Sequence, residues 1–277
     1  QAGGFILFGN FTIEQWGRLV SIFSSLIAIL FLFLILRKYA NTTVALLSAF
    51  FYAFLPFSIF WGRTILPDQT AITATLGGIY FFDKYKDLAD GKKLKRFLFL
   101  VVIIIFLSSA LLLKPFVAFF FLPVVYLSWK KWKQSMFMRI DLWIIALLTV
   151  ISLVLWRIWM LQYPEGIPQS GWLFNGSGIR FKGAFFHWIF AKRIGELILG
   201  FWGVAILIIG IIVRKDNKFF LSFLVSSIIY LFVVATGNVQ HSYYQILIMP
   251  TIAIYLALGS YFLINPPRQY FSRKVSL

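Results

Sequence analysis

The 277-residue chain contains no cysteine, nine acidic residues and two histidines. Without cysteine, neither a disulfide framework nor a thiolate metal site can form. Two histidines and singly scattered carboxylates, with no HExxH-type spacing, argue against any protein-built metal site. Charge is scarce altogether: 13% of residues are charged, against 61% hydrophobic and a mean hydropathy of +0.87. Nor do the apolar runs alternate with polar residues, as the strands of a membrane barrel would. There is no internal repeat and no Ser- or Gly-rich linker.

What remains is a succession of apolar runs, and runs of roughly 17 to 21 residues are long enough to cross a bilayer as helices. Lipid offers the backbone no hydrogen-bond partner, so helix is the only economical form for each run. The expected fold class is therefore all-α and polytopic. About nine transmembrane helices are predicted, near 19–36, 44–61, 65–82, 97–113, 116–129, 141–160, 196–213, 219–235 and 245–264. The third is interrupted by Asp68, Gln69 and several threonines, and the fifth is short, beginning around Lys114-Pro115.

The net charge of +17 could suggest nucleic acid, but the placement of the charges excludes it. Eighteen of the 26 basic residues fall in one alternate set of connections, including Arg37, Lys38, Lys84 to Arg96, Lys130 to Arg139, Arg214 to Lys218 and the tail residues Arg268, Arg273 and Lys274. An excess of Lys and Arg marks the cytoplasmic side. The N-terminus and the connections near 63, 114, 161–195 and 237–244 are thus expected outside, and the C-terminus in the cytoplasm. The basic flanks suit anionic headgroups, so membrane lipids are expected partners and nucleic acid is not. A chain that starts outside at Gln1, without a leader, is expected to follow at least one upstream helix.

Ionisable residues near the outer ends of apolar helices are costly and so point to function. Arg63 and Asp68 sit in the turn WGRTILPD at 61–68. An Arg fork suits phosphate oxygens, while a local Arg63–Asp68 pair would merely fasten the turn. Lys114 lies between two spans on the side where lone cations are disfavoured, either holding an anion or snorkelling to the interface. The stretch 237–245 (GNVQHSYYQ) combines His241, Tyr243, Tyr244 and Gln245, which give stacking faces with donors and acceptors suited to a sugar. An interfacial aromatic belt would explain the tyrosines but not His241 or Gln245. The 161–195 connection, punctuated by Pro164, Pro168 and NGSG at 175–178, reads as an extracytoplasmic loop of turns. It carries Arg180, Lys182, Lys192 and Arg193 on the side where cations are disfavoured.

Four segments resemble a known family. GRLVSIFSSL (17–26), LLSAFFYAFLPFSIFWGRTILPD (46–68), LLLKPFVAFFFLP (111–123) and HSYYQILIMPTIAI (241–254) look like those of GT-C type membrane glycosyltransferases. The relevant branch is that of the dolichyl-phosphate-mannose–protein mannosyltransferases, which includes bacterial lipid A and lipopolysaccharide sugar transferases. The resemblance implies a single membrane-embedded domain over 1–277, in the cell (inner or plasma) membrane with its active site facing outward. It implies a polyprenyl-phosphate-linked sugar donor and a glycan, lipid or protein acceptor. Donor phosphate would be met by Arg63, Lys114, Arg180, Lys192 and Arg193, and sugar or acceptor by Asp68, His241, Tyr243, Tyr244 and Gln245. The resemblance singles out no cofactor and leaves a divalent cation open. The family's acidic base lies in a first outer loop that would fall mostly before Gln1, so the catalytic residue is expected upstream and the chain alone is expected to be inactive. Glu14 sits too close to the next helix to serve. A transporter or flippase of lipid-linked sugars, or a polymerase-type protein, is the alternative. It would favour inverted repeats and midplane charges, and neither is evident.

Overall fold

A computed structural model describes residues 11–89, 91–163, 165, 171–176, 178–213 and 216–265. Gln1, Pro164, Pro168, Ser177, Arg214, Lys215, Arg268, Arg273 and Lys274, on which expectations were placed, lie outside the described residues. Among the described residues the chain is helical throughout and contains no strand.

The helix starts are legible in polar caps. Helix α1 (Ile13–Tyr39) begins at a reciprocal capping box between Thr12 and Gln15, which satisfies two otherwise orphaned N–H groups. Asn41 caps α2 (Thr42–Phe54) by accepting from the Val44 N–H at 2.9 Å. Pro56 then ends α2, because the residue before a proline is pushed out of the helical region. Leu55 is accordingly extended (φ −58°, ψ 132°), and α3 (Pro56–Gly62) leaves at 62° to α2. The chain continues through α4 (Asp68–Tyr85) and α5 (Lys93–Leu113). A 3₁₀ stretch (Pro115–Phe121) leads into α6 (Leu122–Trp132), and a second (Lys133–Met138) into α7 (Ile140–Met160).

Helix α4 is the axis of the molecule. It packs against α1 and α5, and fourteen of its eighteen residues are buried. Gly77 and Gly78 allow α5 this close, since a Cβ on either would press into Phe106 or Leu107. At the other extreme is α7, which packs on α5; only 11% of its most apolar stretch is buried. The second half adds α8 (Gly171–Asn175), α9 (Gly183–Phe186), α10 (Trp202–Val213), α11 (Lys218–Val233), α12 (Ala235–Gln240) and α13 (Met249–Ile264). Helix α13 is almost enclosed, with α2 and α10 on its flanks.

Each expected apolar run is helical, but the count of nine crossings is not established. Four helices among the described residues are long and apolar enough to span a membrane, or up to six if each bent pair is one span. Burial explains the discrepancy at α4: its polar positions face protein instead of lipid, so it need not be apolar to cross. The seventh run differs more. Instead of one helix over 196–213, a π-helical stretch (His187–Ile198) continues α9 and meets α10 at 112°. The break falls at Gly200 (φ 55°) and Phe201 (φ 62°). Only glycine adopts this region without penalty, which for other residues is about 1–2 kcal/mol. Phe201→Gly is therefore expected to raise thermal stability by about 1 kcal/mol, measured by unfolding in detergent. A loss of stability would show that the Phe201 ring, half-exposed beside Gly195, matters more than its backbone.

The segment predicted as a loop of turns over 161–195 is also helical where described, through α8, a 3₁₀ turn (Ile179–Phe181) and α9. Helix α8 and the 3₁₀ turn fold back onto α12, and Gly237 makes room there for Leu173 and Tyr244.

At the basic end of the bundle, two carboxylates gather the helix termini. Asp83, nearly buried, accepts from Lys38 (2.6 Å) and from the Tyr39 hydroxyl, with Lys86 at 3.2 Å. Asp141 accepts from Arg139 (2.6 and 3.0 Å), from Arg96 (3.3 Å) and from the Tyr85 hydroxyl. Asp87 bridges Lys38 and Lys86. Burial works against its charge, but the hydrogen bonds from the two lysines prevail and hold its carboxyl below the usual carboxylate range.

Candidate functional site

The other end of α4 carries Asp68 in its first turn, after Pro67. A carboxylate there faces the positive end of the helix dipole. Lys114 follows the last residue of α5 in extended conformation (φ −154°, ψ 101°), because Pro115 cannot continue the helix. Their side chains form an ion pair, with Asp68 1% and Lys114 8% exposed. Asp68 thus pairs across 46 residues with Lys114, and not with Arg63 as the turn suggested.

Two tyrosine rings complete the surroundings of the ammonium. Lys114 Nζ lies 4.5 Å from the centre of Tyr244 and 5.4 Å from that of Tyr243, within the range where the electron-rich ring face attracts a cation. His241, Tyr243 and Tyr244 form one stack, with ring centres 4.9 to 5.9 Å apart. Trp61 approaches Tyr243 at 6.0 Å, and Trp172 meets His241 edge-on at 5.7 Å. Three of the sequence-predicted segments therefore converge, and α8 from the fourth covers them.

Gln245 is fully buried and does not face the site's opening. Its amide donates to the Asn238 carbonyl (2.9 Å) and side-chain oxygen (3.0 Å). This ties the residue after Tyr244 to α12, while the Gln245 side-chain oxygen has no hydrogen-bond partner among the described residues. Tyr230, from α11, donates to the Tyr244 carbonyl at 3.0 Å. Sequence reasoning missed Tyr230, Asn238 and Trp172; the one signal for Tyr230 was a lone phenol inside an apolar run.

The remaining cations separate. Arg180 donates to the carbonyls of Val233 (2.9 Å) and Phe174 (3.2 Å), and Arg193 to those of Val239 (2.8 Å) and Gln240 (3.4 Å). Val233 ends α11 and Gln240 ends α12, so both arginines satisfy carbonyls that a helix end leaves open. Lys192 is exposed and pairs with Glu196 at 2.7 Å. Arg63, after α3, is exposed and has no ion pair among the described residues. It lines a cavity of about 290 Å³ together with Ser25, Tyr52, Ser58 and Gln69. Arg18 is held by Glu14 at 2.7 Å, so that carboxylate is engaged. Among the described residues no three His, Asp or Glu side chains come together to hold a metal.

A buried α4 with a polar site at one end and a charged clasp at the other, wrapped by apolar helices, defines a polytopic helical membrane protein. A family model for the dolichyl-phosphate-mannose–protein mannosyltransferases matches residues 1–159, and the chain belongs to that family. Two crystal structures of ArnT from Cupriavidus metallidurans are similar in fold at 16% sequence identity. The one bound to undecaprenyl phosphate gives a TM-score of 0.65 over 93% of this chain and 48% of that one. The apo form gives 0.66 over 99% and 48%. The chain therefore spans about half the length of those structures. No curated protein matches it in sequence.

Proposed function

We propose that the protein transfers a sugar from a polyprenyl-phosphate-linked donor to an acceptor on the outer face of the cell membrane, with inversion at the anomeric carbon. The acceptor is a glycan, a lipid or a protein. The carrying observation is the convergence of Asp68, Lys114 and the His241–Tyr243–Tyr244 stack at the end of the bundle opposite the basic clasp. Residues 1–277 act as one membrane-embedded unit, with α8 of the extracytoplasmic 161–195 connection lying over the site.

The roles divide by accessibility. Arg63, exposed and without an ion pair among the described residues, makes first contact with the donor phosphate. Lys114, held by Asp68 and the tyrosine rings, offers preorganised positive charge, which is most effective where charge develops on a leaving phosphate. The half-buried His241 and Tyr243 rings provide stacking faces for the sugar. The bond between anomeric carbon and phosphate oxygen breaks as the acceptor oxygen attacks from the opposite side. The acceptor's proton goes to a base that lies outside this constellation. Support for a polyprenyl-phosphate donor comes from the family and from ArnT, whose similar fold was crystallised with undecaprenyl phosphate.

The test is binding of undecaprenyl phosphate to the purified chain in nanodiscs, with product analysis from a labelled lipid-linked sugar carried out on the full-length protein. Arg63→Ala is expected to weaken binding about tenfold or more, the equivalent of one lost charge-assisted hydrogen bond. Lys192→Ala, already satisfied by Glu196, should change it less than twofold. Equal effects of the two would overturn the division of roles. A product of retained anomeric configuration would overturn direct displacement.

A further inference from the structure

A second cavity runs along the flank of the bundle to the basic end, and none of its lining residues belongs to the proposed sugar site. It is a groove of about 310 Å³ between α5, α6 and α7, within the roughly 300–1,000 Å³ of typical ligand sites. It exists because α7 leans on α5 and leaves a cleft beside α6. Small side chains, Ala118 and Ala146, keep that cleft from filling, while Leu107, Val124 and Trp143 make its walls apolar.

The end of the groove is closed by the 3₁₀ stretch Lys133–Met138, whose Met136 and Phe137 line it. This stretch starts from a strained residue: Lys133 has φ 52° and ψ −134°, a conformation that otherwise belongs to glycine. The residue in this conformation is thus a lysine, not a glycine, three residues before the first of the two side chains that close the groove. Lys131 precedes it and Arg139 follows the stretch. Lys131 and Lys133 are exposed, and neither has an ion pair among the described residues, whereas Arg139 is bound to Asp141 and lies over Trp132 at 4.4 Å. Phe137, Met138 and Ile140, which follow these lysines in the chain, are exposed apolar residues, as expected where a helix end meets the hydrocarbon boundary.

We infer that this groove is a binding site for an anionic phospholipid of the leaflet at the basic end, one acyl chain lying in the groove and the phosphate meeting Lys131 and Lys133. An acyl chain fits the near-absence of polar lining, and basic pockets beside membrane helices select anionic headgroups. The inference does not depend on the sugar-transfer reading.

The experiment is native mass spectrometry of the purified chain equilibrated with equal amounts of phosphatidylglycerol and phosphatidylcholine of matched acyl chains. Wild-type protein should retain phosphatidylglycerol about tenfold over phosphatidylcholine, the preference that two nearby lysines supply. Lys131→Gln/Lys133→Gln should abolish that preference. Ala146→Trp, which fills the groove, should reduce retention of both lipids. Because Ala146→Trp can disturb folding, quenching by phosphatidylglycerol brominated on its acyl chains gives an independent reading, with Trp143→Phe expected to remove part of the quenched fluorescence. Equal retention of the two lipids by wild type would overturn the site and leave only ordinary boundary lipid. So would a preference that survives the double lysine substitution.

Discussion

Lys114→Met is expected to reduce sugar transfer by about 10²–10³-fold, the usual consequence of removing one preorganised group that stabilises developing charge. It should also destabilise the protein, because Asp68 is 1% exposed and would lose its counter-charge. Breaking a buried pair from one side costs about 3–5 kcal/mol, mainly through the charge left behind. Asp68→Asn should destabilise for the mirror-image reason. The two effects separate in the double variant Asp68→Asn/Lys114→Met, where no uncompensated charge remains. Its thermal stability should return close to wild type while transfer stays lost. Were transfer to recover together with stability, the pair would be a purely structural fastening and Lys114 would have no part in chemistry. Rates from purified protein with a lipid-linked sugar, alongside unfolding curves in detergent, decide between these results.

Gly210→Ala is expected to cause the largest loss of stability of any single-methyl addition in the bundle. A Cβ at Gly210 would stand 2.0 Å from the Tyr255 carbonyl oxygen, and one at Gly259 would stand 2.0 Å from that of Ile206. The obstacle is backbone in both cases, so no side-chain rotation can relieve it. The helices α10 and α13 would have to separate along their whole contact. Between membrane helices such close approach is the main source of attraction, since lipid supplies no hydrophobic drive. Overpacking usually costs about 1–3 kcal/mol, and a backbone clash belongs at or above the top of that range. Gly183→Ala is the control, because a Cβ there meets nothing within 4 Å. If Gly210→Ala and Gly183→Ala melted together, the α10–α13 contact described above would not exist in the folded protein.

The helical, membrane-embedded class was legible because apolar length and charge parity are one-dimensional signals. The same parity brought Asp68, Lys114 and the HSYYQ stretch to one side before any packing was known. What parity cannot provide is a partner. Asp68 lies five residues from Arg63 and 46 from Lys114, and sequence proximity favoured the pairing that does not form. Arg180 and Arg193 looked like phosphate ligands because a helix C-terminus, which they satisfy at Val233 and Val239, is an acceptor invisible in composition. The turn at Gly200-Phe201 had only one glycine to announce it, inside an apolar run that reads as continuous helix. The clasp of Asp83 and Asp141 went unweighed, since acidic residues among many basic ones resemble ordinary solvated charge.

The two carboxylates at opposite ends of α4 also fix a length. Asp68 and Asp83 are fifteen residues apart, so at 1.5 Å per residue they lie roughly 22 Å apart, whereas a typical hydrocarbon core is about 30 Å thick. Each carboxylate is anchored to other helices, so this spacing cannot stretch to suit the bilayer. Fourteen of the eighteen residues of α4 are buried, so its neighbours, and not lipid, make up the remaining thickness. Lys114, tied to Asp68, is thereby held closer to the basic clasp than a full hydrocarbon thickness would place it.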